Sequence, residues 1–237
     1  MTNARIIGQT DPILEVTLAP GEAFFAESGA MLAMDQTLSL TGAAKGGFFA
    51  SLGRAVLHEE SFFQEKIAAK SESGKILLSP LFPGGIAELE VGASQYRIAD
   101  GCYLASEEGV AFETKTQGLG KAIFGKTGGF FVLGTKGRGK VYVSGFGSIH
   151  EIEVTPGKPV VADNGHVVAW DAGLDYELSL GTGGSGLLGK IVHSQISGEG
   201  LMLKFTGAGK IWVSSRNRPG FIAWILRQIP TPSKNDR

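Results

Sequence analysis

Residues 208–214 read AGKIWVS, and the same phrase stands twice earlier, as SGKILLS at 73–79 and RGKVYVS at 138–144. Each is a glycine and a lysine followed by an apolar run and a serine, at intervals of about 65–70 residues. The run has period two, so Ile76 and Leu78, Val141 and Val143, and Ile211 and Val213 share one face of a half-buried strand. The other face carries Lys75, Leu77 and Ser79, with Lys140, Tyr142, Ser144 and Lys210, Trp212, Ser214 as counterparts. A strand written three times implies three related β units.

The surroundings repeat as well. PGGIAELEV (83–91), FGSIHEIEV (146–154) and RPGFIAWIL (218–226) follow the three lysine strands, and on this reading Trp224 and Leu226 replace an acidic face formed by Glu88 and Glu90 or Glu151 and Glu153. Upstream, LAPGEAFFAESGAMLAMD (18–35), IADGCYLASEEGVAFE (98–113) and VADNGHVVAWDAGLDYE (161–177) pair Gly21, Gly101 and Gly165 as hairpin glycines. The 36 glycines are about twice the usual share of roughly 7%, as many tight turns require. Helical spacing is confined to SLGRAVLHEE (51–60) and FIAWILRQI (221–229). The expected fold is all-β, with three sandwich-like units packed around a pseudo-threefold axis: residues 1–92, 93–156 and 157–229, then a tail at 230–237. Small units with many edges favour oligomerisation.

Charge and composition narrow the function classes. The 237 residues carry a formal net charge of −1, which supplies no overall attraction to nucleic acid. A hydrophobic share of 43% is that of a folded chain. The lone Cys102 can make no internal disulfide, so a reducing, cytoplasmic setting is expected, with Cys102 as a small, partly buried apolar residue. The N-terminus has no secretory pattern, and no apolar run reaches the length of a membrane span.

The Gly-Lys strands, PGEAFFAESGAMLAMD, GRAVLHEESFFQEKIA and GEGLMLKFTGAGKIWVSSR together resemble the mitochondrial biogenesis family named for altered inheritance of mitochondria, number twenty-four, over roughly residues 5–216. The resemblance implies a threefold repeat of short double-stranded β-helices, like that of the ring-forming tryptophan RNA-binding attenuation protein. It implies no catalytic residues. That family includes a mitochondrial branch linked to inner-membrane organisation and bacterial members of unknown biochemical function. With no mitochondrial presequence read at its start, this chain fits the bacterial type. A homotrimer, three chains making a ninefold ring, is the assembly the resemblance suggests.

Several residues invite a chemical reading. GKAIFGKT (120–127) matches the phosphate-loop pattern through Gly120, Gly125, Lys126 and Thr127, but an extended GGFFVLGTKG follows where the phosphate-binding helix should begin. His58, His150, His166 and His193 show no paired metal-ligand spacing, and no nucleophile elbow accompanies them. No cofactor and no metal are therefore expected, and the chain is read as a non-enzyme. Lys75, Lys140 and Lys210 form an anion site if the three units bring them together; as strand-edge lysines they serve instead against aberrant pairing. Phe48, Phe49, Ile123, Phe124, Leu187, Leu188, Trp224 and Leu226 are the interaction candidates, apolar side chains in glycine-rich connections or near the C-terminus. The function expected is an oligomeric scaffold or interaction protein at a protein partner or membrane surface. The alternative is a nucleotide, anion or RNA ligand on Lys126 and Thr127 or on the repeated lysines.

Overall fold

The computed structural model describes residues 2–42, 64–116, 131–179 and 202–229. The chain opens with β1 (Asn3–Ile7). Six strands follow: β2 (Ile13–Leu18), β3 (Ala23–Glu27), β4 (Met31–Met34), β5 (Leu38–Gly42), β6 (Gln64–Ala69) and β7 (Gly74–Leu78). Next come β8 (Ile86–Val91), β9 (Tyr96–Ala99), β10 (Tyr103–Glu107), β11 (Val110–Thr116), β12 (Phe131–Gly137) and β13 (Gly139–Ser144). Last are β14 (Ile149–Val154), β15 (Val160–Asp163), β16 (Val167–Asp171), β17 (Asp175–Ser179), β18 (Met202–Thr206) and β19 (Gly209–Ser214), then a helix, α1 (Arg218–Gln228).

The expected all-β class is what the described residues form. They pair antiparallel into four sheets, ordered β1-β2-β7-β4, β5-β6-β3-β10-β13-β8, β11-β12-β9-β16-β19-β14 and β15-β18-β17. Three apolar cores result. The first gathers Leu14, Val16, Phe24, Ile67 and Ile76 from the first two sheets. The second joins Leu89, Val141, Ile98, Phe112 and Val168 from the second and third. The third joins Trp170, Ile211, Leu203 and Phe205 from the third and fourth. Excluding water from these inward faces is the main force holding the sheets together.

The lysine strands occupy the same place in three ladders. Glu15 of β2 stands opposite Leu77 of β7, Glu88 of β8 opposite Tyr142 of β13, and Glu151 of β14 opposite Trp212 of β19. On their other side β7, β13 and β19 pair with β4, β10 and β16, each with an irregularity one pair in, at Met31/Ala33, Tyr103/Ala105 and Val167/Ala169. An acidic side chain then caps each lysine's backbone N–H: Asp35 at 2.8 Å, Glu107 at 3.0 Å and Asp171 at 2.7 Å. Ile76, Val141 and Ile211 are fully buried, as their alternation requires.

Two sequence alignments need correction. RPGFIAWIL is helix, not a third copy of the acidic strand: the Asn217 side chain accepts a hydrogen bond from the Gly220 N–H at 2.8 Å, and a proline occupies the first turn. The acidic strand precedes its lysine strand rather than following it, so the missing copy is β2, and Glu15 is the counterpart of Glu88 and Glu151. The expected helix at 51–60 lies outside the described residues. Gly21 belongs to the turn between β2 and β3, whereas Gly101 lies between β9 and β10. The counterpart of Gly101 is Gly29, between β3 and β4.

Candidate interaction surfaces

The three lysines sit in three different sheets, each beside a glutamate of the adjoining strand. Lys75 reaches Glu15 at 3.1 Å, Lys140 reaches Glu88 at 2.7 Å and Lys210 reaches Glu151 at 2.7 Å. Hydrogen bonds donated to Glu88 and Glu151 hold Lys140 and Lys210 above the usual lysine range. Glu15 has a second cation, Arg5 of β1, at 2.6 Å; the Arg5 and Lys75 hydrogen bonds hold its carboxyl below the usual range. Strand β1 thus closes the outer edge of β2 in both backbone and charge. Glu88 also accepts the Tyr142 hydroxyl at 3.0 Å, and burial together with that carboxylate pushes the phenol's pKa up.

Between the edge strands of the middle sheets lies a cleft of about 510 Å³. Glu88, Glu90, Glu151, Glu153 and Asp171 give it an acidic lining relieved by Lys210, with Tyr96 and Trp212 as an edge-to-face pair at 5.6 Å. Among the described residues no three His, Cys, Asp or Glu side chains cluster in a way that could hold a metal ion.

Exposure differs sharply among strands in equivalent positions. β10 and β16 are buried along Tyr103–Ser106 and Val167–Trp170, because β3 and β9 pair with their outer edges. The Tyr103 hydroxyl secures the first of these junctions, accepting from the Gln64 amide at 2.7 Å and donating to the Phe25 carbonyl at 3.3 Å. β4 has the same register on its lysine strand and, among the described residues, no strand on its outer edge. Met31 and Leu32 are consequently 41% and 57% exposed. At the other end of the chain β15 is also an edge, with Val161 52% exposed.

The third surface is α1, in which no residue is buried. Phe221, Ile222, Trp224, Ile225 and Leu226 are exposed, and Phe221 stacks on Trp224 with ring centroids 6.1 Å apart. The helix is anchored at its start. Phe221 packs against Phe146 at 5.1 Å, while Arg218 donates to the Asp100 carbonyl at 3.2 Å and lies over the Phe82 ring. Gly101 has φ +65°, and the Arg218 guanidinium fills the space where a Cβ would project, so this turn requires glycine on two counts. Beneath the anchor, burial raises the Glu27 carboxyl to about 7, with Arg218 opposing the shift and Asp100 adding to it. Cys102, packed against the second and third cores, is pushed up to about 12 by burial, which keeps it a thiol.

Of the residues singled out from sequence, Trp224 and Leu226 lie exposed on α1. Phe48, Phe49, Ile123, Phe124, Leu187, Leu188 and the phosphate-loop match Gly120, Gly125, Lys126 and Thr127 lie outside the described residues, as do His58 and His193. His166 is bound through Nδ1 to the Ser214 carbonyl at 2.7 Å, and His150 lies exposed on β14. The sequence reading set AMLAMD beside CYLASEE and VVAWD but did not mark β4 as an edge, although its four successive apolar residues, MLAM, depart from the alternation of a half-buried strand. It also passed over Glu15 and Glu27, which sit in short strands with no charge pattern around them.

A family model described as mitochondrial biogenesis AIM24 matches residues 4–216. An uncharacterised protein of Streptococcus pyogenes serotype M6 is 34% identical over 228 residues, covering 94% of this chain and 88% of that protein. An X-ray crystal structure of another Streptococcus pyogenes protein, 30% identical, superposes with a TM-score of 0.79 over 97% of this chain and 100% of that one.

Proposed function

We infer that this chain, which belongs to the mitochondrial biogenesis AIM24 family, is a non-enzymatic scaffold that assembles into an oligomer and lays its C-terminal helix on a membrane surface. The observation that carries the reading is α1, which buries none of its residues and exposes Phe221, Ile222, Trp224, Ile225 and Leu226 beyond its anchored start. A helix of that composition needs an apolar partner. From Arg216 to Gln228 there are three arginines and no acidic residue, which suits an anionic lipid surface. Its 11 residues rise about 16 Å, roughly half a bilayer's hydrocarbon thickness, so it lies in the interface rather than crossing. Trp224 is of the residue type that settles at headgroup level. Among the described residues no helix is long and apolar enough to cross a membrane.

The scaffold is read as three tandem units of the attenuation-protein type, β2–β7, β8–β13 and β14–β19. This grouping moves the unit boundaries from residues 92 and 156 to just before β8 and β14. Support comes from the shared ladder register, the shared irregularity and the shared acidic cap. Three chains closing a ring of nine units is the simplest assembly on that plan. The lysine-bound ligand ranks second, because each ammonium already faces a glutamate. A cytoplasmic location accords with the partly buried, unpaired Cys102.

Co-sedimentation with vesicles containing a third phosphatidylserine tests the membrane part. Binding should fall at least tenfold in Trp224→Ser/Leu226→Ser, and weaken on neutral phosphatidylcholine. Equal binding by the variant would remove α1 as the contact, and a thermal shift on adding ATP and magnesium would favour the ligand reading instead.

A further inference from the structure

The two outer sheets are the two halves of an inner one. Each inner sheet consists of three strands from one stretch of chain and three from the next, joined at β3–β10 and at β9–β16. The first sheet has only β2-β7-β4, plus β1, and the fourth only β15-β18-β17. β4 corresponds to β10 and β16 by its register on the lysine strand. β15 corresponds to β3 and β9 by its place before the turn that leads to β16. The chain therefore carries one half of a junction at each end, and its own described strands do not join them.

We propose that β15 of one copy adds to the outer edge of β4 of a second copy, head to tail, completing a sheet β17-β18-β15-β4-β7-β2. The existing junctions set the register. Ala26 stands opposite Ala105 and Ile98 opposite Ala169, so Ala162 meets Ala33; Phe25 stands opposite Ser106 and Arg97 opposite Trp170, so Val161 meets Met34. The exposed apolar residues are those the pairing covers. Met31 and Leu32 occupy the positions of Tyr103 and Leu104, which are 2% and 0% exposed where a strand is already in place. An edge of unpaired backbone groups beside apolar side chains is a template for strand addition. Because the joining surfaces differ, the contact is heterologous, and repetition closes a ring when the rotation between copies divides a full turn. The proposal rests on the oligomeric reading above and names the surface it uses.

Cysteine pairs test it in the full chain, with Cys102→Ala as background. Neighbouring antiparallel pairs alternate between hydrogen-bonded and closer non-hydrogen-bonded spacing, so one of Ala33→Cys/Ala162→Cys and Met34→Cys/Val161→Cys has disulfide geometry. Under mild oxidant one double variant should give covalent multimers on a denaturing gel, while its two single variants give none. A charge test runs beside it, with folding followed by circular dichroism. Met34→Lys/Val161→Lys should raise the concentration at which the assembly dissociates roughly tenfold, and Met34→Lys/Val161→Glu should restore assembly, since facing charges repel or attract across a sheet. Wild-type protein that scatters as a multimer, with neither pair crosslinking and no response to charge, would overturn this junction and leave the oligomeric reading standing. A folded wild-type monomer would overturn both.

Discussion

Strands β4 and β10 hold the same place on their lysine strands and have opposite surroundings. Leu32 and Leu104 are the same residue type at the same register, yet one is 57% exposed and the other fully buried. The difference lies in the neighbour: β3 covers β10, and no described strand covers β4. Burial of a strand here depends on its neighbour as much as on its own sequence.

The sharpest way to break this comparison is to truncate both leucines. Leu104→Ala should cost about 2–5 kcal/mol in urea unfolding, because the first core cannot collapse around the loss. Leu32→Ala at dilution should cost less than about 0.5 kcal/mol, as surface changes do. Similar losses at the two sites would deny that they differ in burial. A Leu32→Ala cost that grows with protein concentration would show the strand being covered by another copy.

The acidic caps sharpen the comparison from the other side. Asp35 and Asp171 accept the lysine backbone N–H at 2.8 and 2.7 Å, one in the exposed-edge ladder and one in an inner ladder. Asp35→Ala and Asp171→Ala should each lower stability by about 1 kcal/mol. Unequal losses would mean that the ladders are less alike than their registers.

Glu27 ends β3 beneath the helix anchor, where the corresponding residue of β9 is Ala99. Its carboxyl is raised to about 7, so the folded state holds the proton more tightly than the unfolded chain. The stabilisation this gives is complete below the unfolded carboxylate range and is lost as pH rises through about 7. Glu27→Gln should therefore be more stable than wild type at pH 8, by about 1 kcal/mol after discounting for solvent screening at this partly exposed carboxyl, and match it near pH 4. A constant difference across that range would contradict the burial.

The smallest effect belongs to Arg5. Its removal should lower the melting temperature slightly at pH 7 and not at pH 3, because the lowered Glu15 carboxyl contributes stability that disappears as pH falls. Loss of equal size at both pH values would point to packing of β1 rather than to charge.

Much of this was readable before the structure. The period-two alternation of KILL, KVYV and KIWV placed Ile76, Val141 and Ile211 inside, and the recurring phrase announced equivalent strands. What misled was spacing. RPGFIAWIL lies as far beyond its lysine strand as PGGIAELEV does, but a cap at Asn217 and a proline in the first turn select helix, and pairing direction cannot be read from separation along the chain. Gly21 was matched to Gly101 for a related reason, since the successive β2–β3 and β3–β4 turns both contain glycine. The edge at β4 was illegible because Met31–Met34 looks like any buried strand, and only its neighbours decide whether it is one. The site candidates in the glycine-rich connections fall outside the described residues, and the lysines were recognisable as a set without their glutamate partners being apparent.

Light scattering on the native chain across a hundredfold range of concentration bears most directly on the three-unit scaffold with matching ends. A constant mass that is a multiple of the 24.9 kDa chain, threefold for a closed ring of nine units, is the predicted result. A mass of 24.9 kDa at every concentration, with the fold intact, would contradict it.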